Sequence, residues 1–132
     1  MAQVSIDDAK EYVRQRHAFG QPIGRFQGVA FPLVQFETQI RAARLLALEA
    51  LWRKDQGLSH SAEANMVKAW VPRLAFDAIH QALLIHGHAG FSEELPLAQR
   101  LRDVVGLEIG DGTAQIASLV VARSLLGREF AP

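Results

Sequence analysis

Apolar residues recur along this chain at intervals of three and four positions, the spacing of helices that bury one face. Runs with the strict alternation of β-strands are absent. The longest apolar stripe consists of Val29, Leu33, Phe36, Ile40, Ala43, Ala47 and Leu51. It predicts a helix over residues 26–56. At ~1.5 Å per residue this helix is about 45 Å long, and Pro32 should kink its first turns.

Glycine and proline residues mark where further helices begin and end. Breaks of this kind fall at residues 19–22, 57–61, 87–90 and 110–113. They predict additional helices over about residues 4–17, 62–86, 96–107 and 113–126.

The helix over residues 62–86 carries a second apolar stripe. Its inward-facing residues are expected to be Met66, Trp70, Leu74, Ala78 and Ile85. Pro72 predicts a kink within it, and Ser59 or Ser61 can cap its start. Two long helices with shorter helices beside them predict an all-α fold, an antiparallel bundle of the four-helix type. We expect residues 1–132 to form a single domain.

Composition narrows the classes of function. Fourteen basic and fourteen acidic side chains cancel, so the charge favours neither nucleic acid nor an anionic membrane surface as partner. The absence of cysteine excludes disulfides, thiolate nucleophiles and zinc–thiolate sites. Neither a signal peptide nor a membrane span is visible, which predicts a soluble, cytoplasmic protein.

The first candidate site lies where the first helix ends, around Arg16 and Phe19-Gly20. A cation in the last turn of a helix, followed by glycine, is typical of a helix that compensates its dipole and stops. The same guanidinium beside an aromatic ring can instead bind a phosphate or a carboxylate. The residues alone leave both interpretations open.

The second candidate site is the turn Gly110-Asp111-Gly112-Thr113 before the last helix. Unpaired N–H groups at a helix start attract anions and carbonyl oxygens. Asp111 fits a plain N-cap, and it also fits a catalytic base with Thr113 and Gln115 nearby.

The third candidate is the segment around Gly87, which is flanked by His86 and His88. Two histidines can ligate a metal, but no third ligand follows with recognisable spacing, so no metal site is predicted. Glycine here either ends the helix or allows the backbone to approach a flat ligand closely.

A longer ordered series of motifs runs through the chain. It consists of Arg16, Phe19-Gly20-Gln21-Pro22-Ile23, Phe26-Gln27, Lys68-Ala69, Ile85, Gly87, Gly90, Phe91, Arg102-Asp103 and Asp111-Gly112-Thr113-Ala114-Gln115-Ile116. This series resembles the C-terminal domain of the acyl-CoA dehydrogenase family, over about residues 2–127.

The resemblance implies an FAD-dependent enzyme that forms a trans-2 double bond in acyl-CoA thioesters. In that family a carboxylate removes the α-proton while FAD takes the β-hydride, and FAD lies between subunits. The cofactor-binding residues it implies are Arg16 at the diphosphate, Phe19 and Gln27 on the adenosine side, Gly87, and Thr113 with Gln115 at the chain's own flavin. Asp111 becomes the candidate base.

Three residues depart from the family pattern. Asp111 stands where many members carry glutamate, one methylene longer. His88 replaces the second glycine of a common pair, and Leu84 stands where a cofactor-binding glutamine is common. These changes predict a cofactor site with fewer contacts than the family norm.

The family also has an N-terminal helical domain and a middle β-domain, which this sequence does not contain. We therefore expect either a segment of a longer dehydrogenase, inactive alone, or an oligomerising bundle that binds no flavin. Both readings predict self-association as a dimer or tetramer, or a partner that supplies the other domains. A helical metal protein using His86 and His88 is the weakest alternative.

Overall fold

The computed structural model describes residues 1–132 and contains six α-helices and one two-stranded hairpin. In chain order the elements are α1 (Ala2–Gln15), β1 (His17–Ala18), β2 (Gln21–Pro22), a 3-10 turn (Ile23–Arg25), α2 (Gln27–Asp55), α3 (Ser61–His86), α4 (His88–Phe91), α5 (Leu97–Ile109) and α6 (Ala114–Leu126). No single helix is both long and apolar enough to cross a bilayer.

The predicted all-α bundle with two long helices is confirmed. Pro32 and Pro72 both lie inside continuous helices, α2 and α3. The segment after α1 differs from the prediction, because residues 17–22 pair as a short antiparallel hairpin instead of only ending the helix. The start of α3 also differs: the residue before it is His60, so neither Ser59 nor Ser61 occupies the cap position.

The chain divides into two compact units that share its longest helices. Unit 1 comprises Met1–Ile40 and Leu74–Val104, and unit 2 comprises Arg41–Arg73 and Val105–Pro132. Each unit therefore takes part of α2, α3 and α5.

Unit 1 has a continuous apolar core. Its buried members are Ile6, Ala9, Val13, Leu33, Ile40, Ala78, Ala82 and Leu97. Residues Ile6, Ala9 and Val13 recur every three or four positions and so lie on one face of α1. Burying each large aliphatic side chain contributes about 1.5–3 kcal/mol, so this face fixes α1 in unit 1.

Polar side chains of α1 and α2 form hydrogen bonds with each other beside this core. Glu37 accepts hydrogen bonds at 3.1 Å from both Gln3 Nε2 and Lys10 Nζ. Lys10 also pairs with Asp7 at 2.5 Å. That hydrogen bond is the main cause that lowers the pKa of the Asp7 carboxyl and raises the pKa of the Lys10 ammonium.

Unit 2 buries far fewer apolar side chains than unit 1 does. Its buried apolar residues are Ala43, Ala50 and Ala117. Leu51 belongs to the apolar stripe of the helix predicted over residues 26–56, and Trp70 is expected to face inward, but both are exposed. The prediction was wrong for these two because helical spacing identifies an apolar stripe without identifying what covers it.

Gly90 lies where α4 packs closely against the end of α3. A Cβ atom at this buried glycine would stand 2.5 Å from the Leu83 carbonyl oxygen and 2.9 Å from His86 Cβ. We expect Gly90→Ala to lower the free energy of unfolding by about 1–3 kcal/mol, measured by urea denaturation, because backbone must move to admit the methyl group.

Gly106→Ala is the matched control, because Gly106 lies inside α5 with open space around its Cβ position. It should raise the free energy of unfolding by about 0.5–1 kcal/mol. Equal stability of the two variants would contradict the close approach described for Gly90.

Candidate functional site

The first site segment begins where α1 stops. Arg16 leaves the helix with φ −73° and ψ 126°, while its N–H donates to the Tyr12 carbonyl at 2.8 Å. Its own carbonyl accepts from Ile23 N at 2.8 Å, which closes the intervening residues into a loop. Inside that loop, His17 pairs with Pro22 and Ala18 with Gln21.

Phe19 occupies the tip of this hairpin in an unfavourable backbone conformation. Its φ is +52° and that of Gly20 is +78°, as in the two-residue turns that match the twist of a hairpin. Glycine tolerates positive φ, but a bulky residue there is strained by about 1–2 kcal/mol. The ring is 93% exposed and touches Phe26 edge-on, with centroids 6.0 Å apart. The turn therefore presents an aromatic face to solvent.

The guanidinium of Arg16 has no partner within the chain. The basic residue in the last turn of α1 is Arg14, which lies 3.5 Å from Glu11. Arg16 is exposed, and its guanidinium forms no hydrogen bond or ion pair. Dipole compensation thus falls to Arg14, and Arg16 remains free for an external anion. Gln27, the first residue of α2, is exposed immediately after Phe26.

The end of α3 combines a buried histidine with an open glycine. His86 Nδ1 donates to the Ala82 carbonyl at 2.8 Å, and its ring lies against Tyr12 with centroids 4.3 Å apart. His86 is therefore part of the packing of unit 1. Gly87 has φ +62° and ψ −134°, with open space around its Cβ position, and His88 is exposed. No group of three or more potential metal ligands is present in the chain.

The turn between α5 and α6 corrects one interpretation of Asp111. The N-cap of α6 is Thr113, whose Oγ1 accepts from Ile116 N at 3.4 Å. Asp111 precedes it with φ +55°, followed by Gly112 at +98°. The reading of Asp111 as a plain N-cap is therefore wrong. Its exposed carboxylate forms no hydrogen bond or ion pair within the chain.

Lys68, a member of the motif series, makes contacts that the sequence does not predict. Its Nζ donates to the carbonyl oxygens of Leu107 at 2.6 Å and Gly110 at 2.5 Å. The only signal in the sequence is a cation within the apolar run Met66–Trp70. The acceptors are backbone groups, so no residue type could have identified them.

The candidate residues form two sets. One set belongs to unit 1 and comprises Arg16 and Phe19 on the closed loop, Gln27 at the start of α2, and Gly87 at the end of α3. Asp111, Thr113 and Gln115 lie on one turn and helix start of unit 2.

Comparison with known proteins identifies the family. The model of the acyl-CoA dehydrogenase C-terminal domain matches residues 1–126. Probable acyl-CoA dehydrogenase YngJ of Bacillus subtilis is 39% identical over 126 residues, which cover 96% of this chain and 33% of that protein. The structure of butyryl-CoA dehydrogenase from Megasphaera elsdenii superposes with a TM-score of 0.92 at 34% identity, covering 95% of this chain and 33% of that one.

A structure of PigA in complex with FAD superposes with a TM-score of 0.92 at 28% identity, covering 96% of this chain and 33% of PigA. The prediction of FAD as the cofactor of this fold family is confirmed. The chain spans about a third of the length of the curated relatives it matches. With the family model matching nearly every residue, the chain belongs to the acyl-CoA dehydrogenase family, as its C-terminal domain.

Proposed function

We propose that this chain is the C-terminal part of an FAD-dependent dehydrogenase that forms the α,β double bond of acyl-CoA thioesters. The observation that carries the proposal is the position of backbone strain. Phe19 and Asp111 are the two residues other than glycine with positive φ, and both belong to the site sets. Residues in strained backbone conformations are found most often at functional sites. They persist there because the surrounding structure holds them in place.

The hairpin of unit 1 has the chemistry to hold part of FAD. Arg16 supplies a planar guanidinium with no internal partner, which suits a diphosphate. Phe19 supplies an exposed ring for stacking, and Gln27 supplies an exposed amide. Gly87 adds backbone that a flat ligand can approach, because no side chain covers it. This set suits FAD held mainly by another subunit.

The turn of unit 2 has complementary chemistry. The Thr113 hydroxyl accepts from Ile116 N, so its own hydrogen remains available to a ligand. Gln115 is exposed on the first turn of α6, at the positive end of the helix dipole. These groups suit the FAD of the chain's own site.

Asp111 is the residue that we propose as the base. When bound, FAD accepts the β-hydride of the acyl group. Asp111 takes the α-proton, since its carboxylate is exposed and has no partner in the chain. Aspartate tolerates the left-handed conformation better than most residues, which suits it to this turn. On this proposal the acyl groups are those of fatty acid metabolism, and the compartment is the cytoplasm.

The cofactor contribution is tested by titrating the chain with FAD and following the quenching of flavin fluorescence. We expect binding, and we expect Phe19→Asn to weaken it about fivefold through loss of the stacking ring. The same variant should raise the free energy of unfolding by about 0.5–1 kcal/mol, because asparagine accepts positive φ more readily than phenylalanine.

Phe130→Asn is the matched control, since Phe130 is 75% exposed and lies outside the positive-φ positions. It should change neither quantity appreciably. Absence of flavin quenching by the parent chain would mean that this chain contributes no cofactor site by itself, and assembly would be the only role it performs alone.

The role of Asp111 is tested by kinetics, after the N-terminal and middle domains of a matching relative are joined ahead of this chain. The chain alone should be inactive. Asp111→Asn should lower kcat by about 10²–10⁴-fold, the usual contribution of a general base, with FAD content unchanged. Full activity of the variant would exclude Asp111 as the base.

A second role, assembly, is favoured by the exposed surface of unit 2. Leu45, Leu48 and Trp52 follow helical spacing on α2, and each is more than half exposed. A separate apolar groove of about 480 Å³ is lined by Leu46, Met66, Ala69, Trp70, Ser118, Val121, Ala122, Leu125 and Leu126. Monomeric proteins rarely leave large apolar patches uncovered. We therefore propose that a second copy of the chain covers both the exposed residues of α2 and the groove. Because the formal net charge is zero, no net charge repulsion opposes association of two copies.

Sedimentation velocity tests this proposal. We expect a dimer or tetramer at micromolar concentration, and we expect Leu48→Glu to shift it toward monomer by placing a charge in the contact. Val4→Glu changes an exposed apolar residue of α1 and should leave the association unchanged. A monomer at every concentration tested would remove the assembly role.

A further inference from the structure

Lys68 connects α3 to the end of α5 over a long sequence separation. Its ammonium donates to the carbonyl oxygens of Leu107 and Gly110, which lie 39 and 42 residues further along the chain. Both distances, 2.6 and 2.5 Å, are those of short charge-assisted hydrogen bonds. No carboxylate shares the ammonium, so Lys68 differs from the surface ion pairs that Lys10 and Arg53 form.

The carbonyl groups at the end of a helix lack partners within the helix and carry partial negative charge. Lys68 supplies a cation to those of α5 from a different helix. One acceptor, Leu107, lies in the last turn of α5, and the other, Gly110, directly precedes Asp111. The ammonium therefore bonds to one residue within α5 and to one residue of the turn that follows.

The turn that follows has few internal restraints. Gly110 N still donates to Gly106 O at 2.8 Å, and Thr113 caps α6, but Asp111 and Gly112 both have positive φ. A strained residue beside a glycine holds one conformation only when its surroundings restrain it. Among side chains, Lys68 is the one that bonds to the backbone of this turn from outside it.

We propose that Lys68 is a positioning residue that fixes the Gly110–Thr113 turn and thereby the direction of the Asp111 carboxylate; this rests on the proposed function of Asp111. Lys68 is not assigned as a base or a nucleophile, because its Nζ donates to two backbone carbonyl oxygens of α5 and the turn. Its effect on the reaction passes through the backbone of the turn. Displacing a base by ~1 Å can lower a rate about a hundredfold.

The first test is amide hydrogen exchange on the 132-residue chain. In Lys68→Met, which keeps an unbranched apolar side chain of similar length, we expect amides of residues 108–113 to exchange about tenfold faster. Amides of α1 should be unchanged. Lys54→Met is the matched control, since Lys54 is exposed in the last turn of α2 and has no partner.

Lys68→Arg retains the charge and several donors, so it should restore most of the protection. This variant keeps the proposal testable if Lys68→Met does not fold. Unchanged exchange at residues 108–113, or acceleration spread evenly over the chain, would overturn the proposal.

The second test is kinetic and uses the complete dehydrogenase. Lys68→Met should lower kcat about a hundredfold while KM changes less than about threefold, and Lys68→Arg should recover most of kcat. Faster local exchange with unchanged kcat would overturn the positioning role. If instead Asp111→Asn keeps full activity, the proposed base fails while the exchange result still measures whether Lys68 orders the turn.

Discussion

The stability of this fold depends on the burial of apolar side chains, and the two units differ greatly in how much apolar surface they bury. Unit 1 places large residues such as Ile6, Leu33 and Leu97 in a continuous core. Unit 2 buries three alanines and leaves leucines of α2 and α6 in contact with water. An alanine methyl contributes little transfer free energy beside a buried leucine. This difference is the observation behind the proposed assembly role, because those side chains lack cover within unit 2 itself.

Each of the two candidate sites contains one residue other than glycine with a positive φ. Phe19 and Asp111 each adopt positive φ, and each is followed by a glycine that continues the turn. One is a ring held outward and the other is a carboxylate without a partner. In both, neighbouring hydrogen bonds hold the backbone: the Arg16–Ile23 bond closes the hairpin, and Lys68 holds the end of α5. Hydrogen bonds outside the two strained residues thus hold their backbone in place.

Five of the six helices could be predicted from the sequence because their apolar spacing and their glycine breaks are local signals, and each of their ends lies within two residues of the predicted one. The short helix α4 could not, because it forms within a segment whose glycines predict a break. The site residues emerged from the ordered motifs. The parts that could not be predicted depend on partners distant in sequence. Leu51 lies outward although its spacing is that of a core residue, Thr113 rather than Asp111 caps α6, and Lys68 finds backbone acceptors that carry no sequence signal.

The alanine-based interior of unit 2 also affects how it responds to solvent. The slope of stability against denaturant concentration scales with the surface that unfolding newly exposes. Because the large side chains of unit 2 already contact water, its opening uncovers little new apolar area and gives a shallow slope with a small heat-capacity change. The dependence of unfolding on urea therefore arises chiefly from the core of unit 1. Under the proposed assembly, covering the leucines of α2 would steepen this slope, because unfolding would then expose them anew.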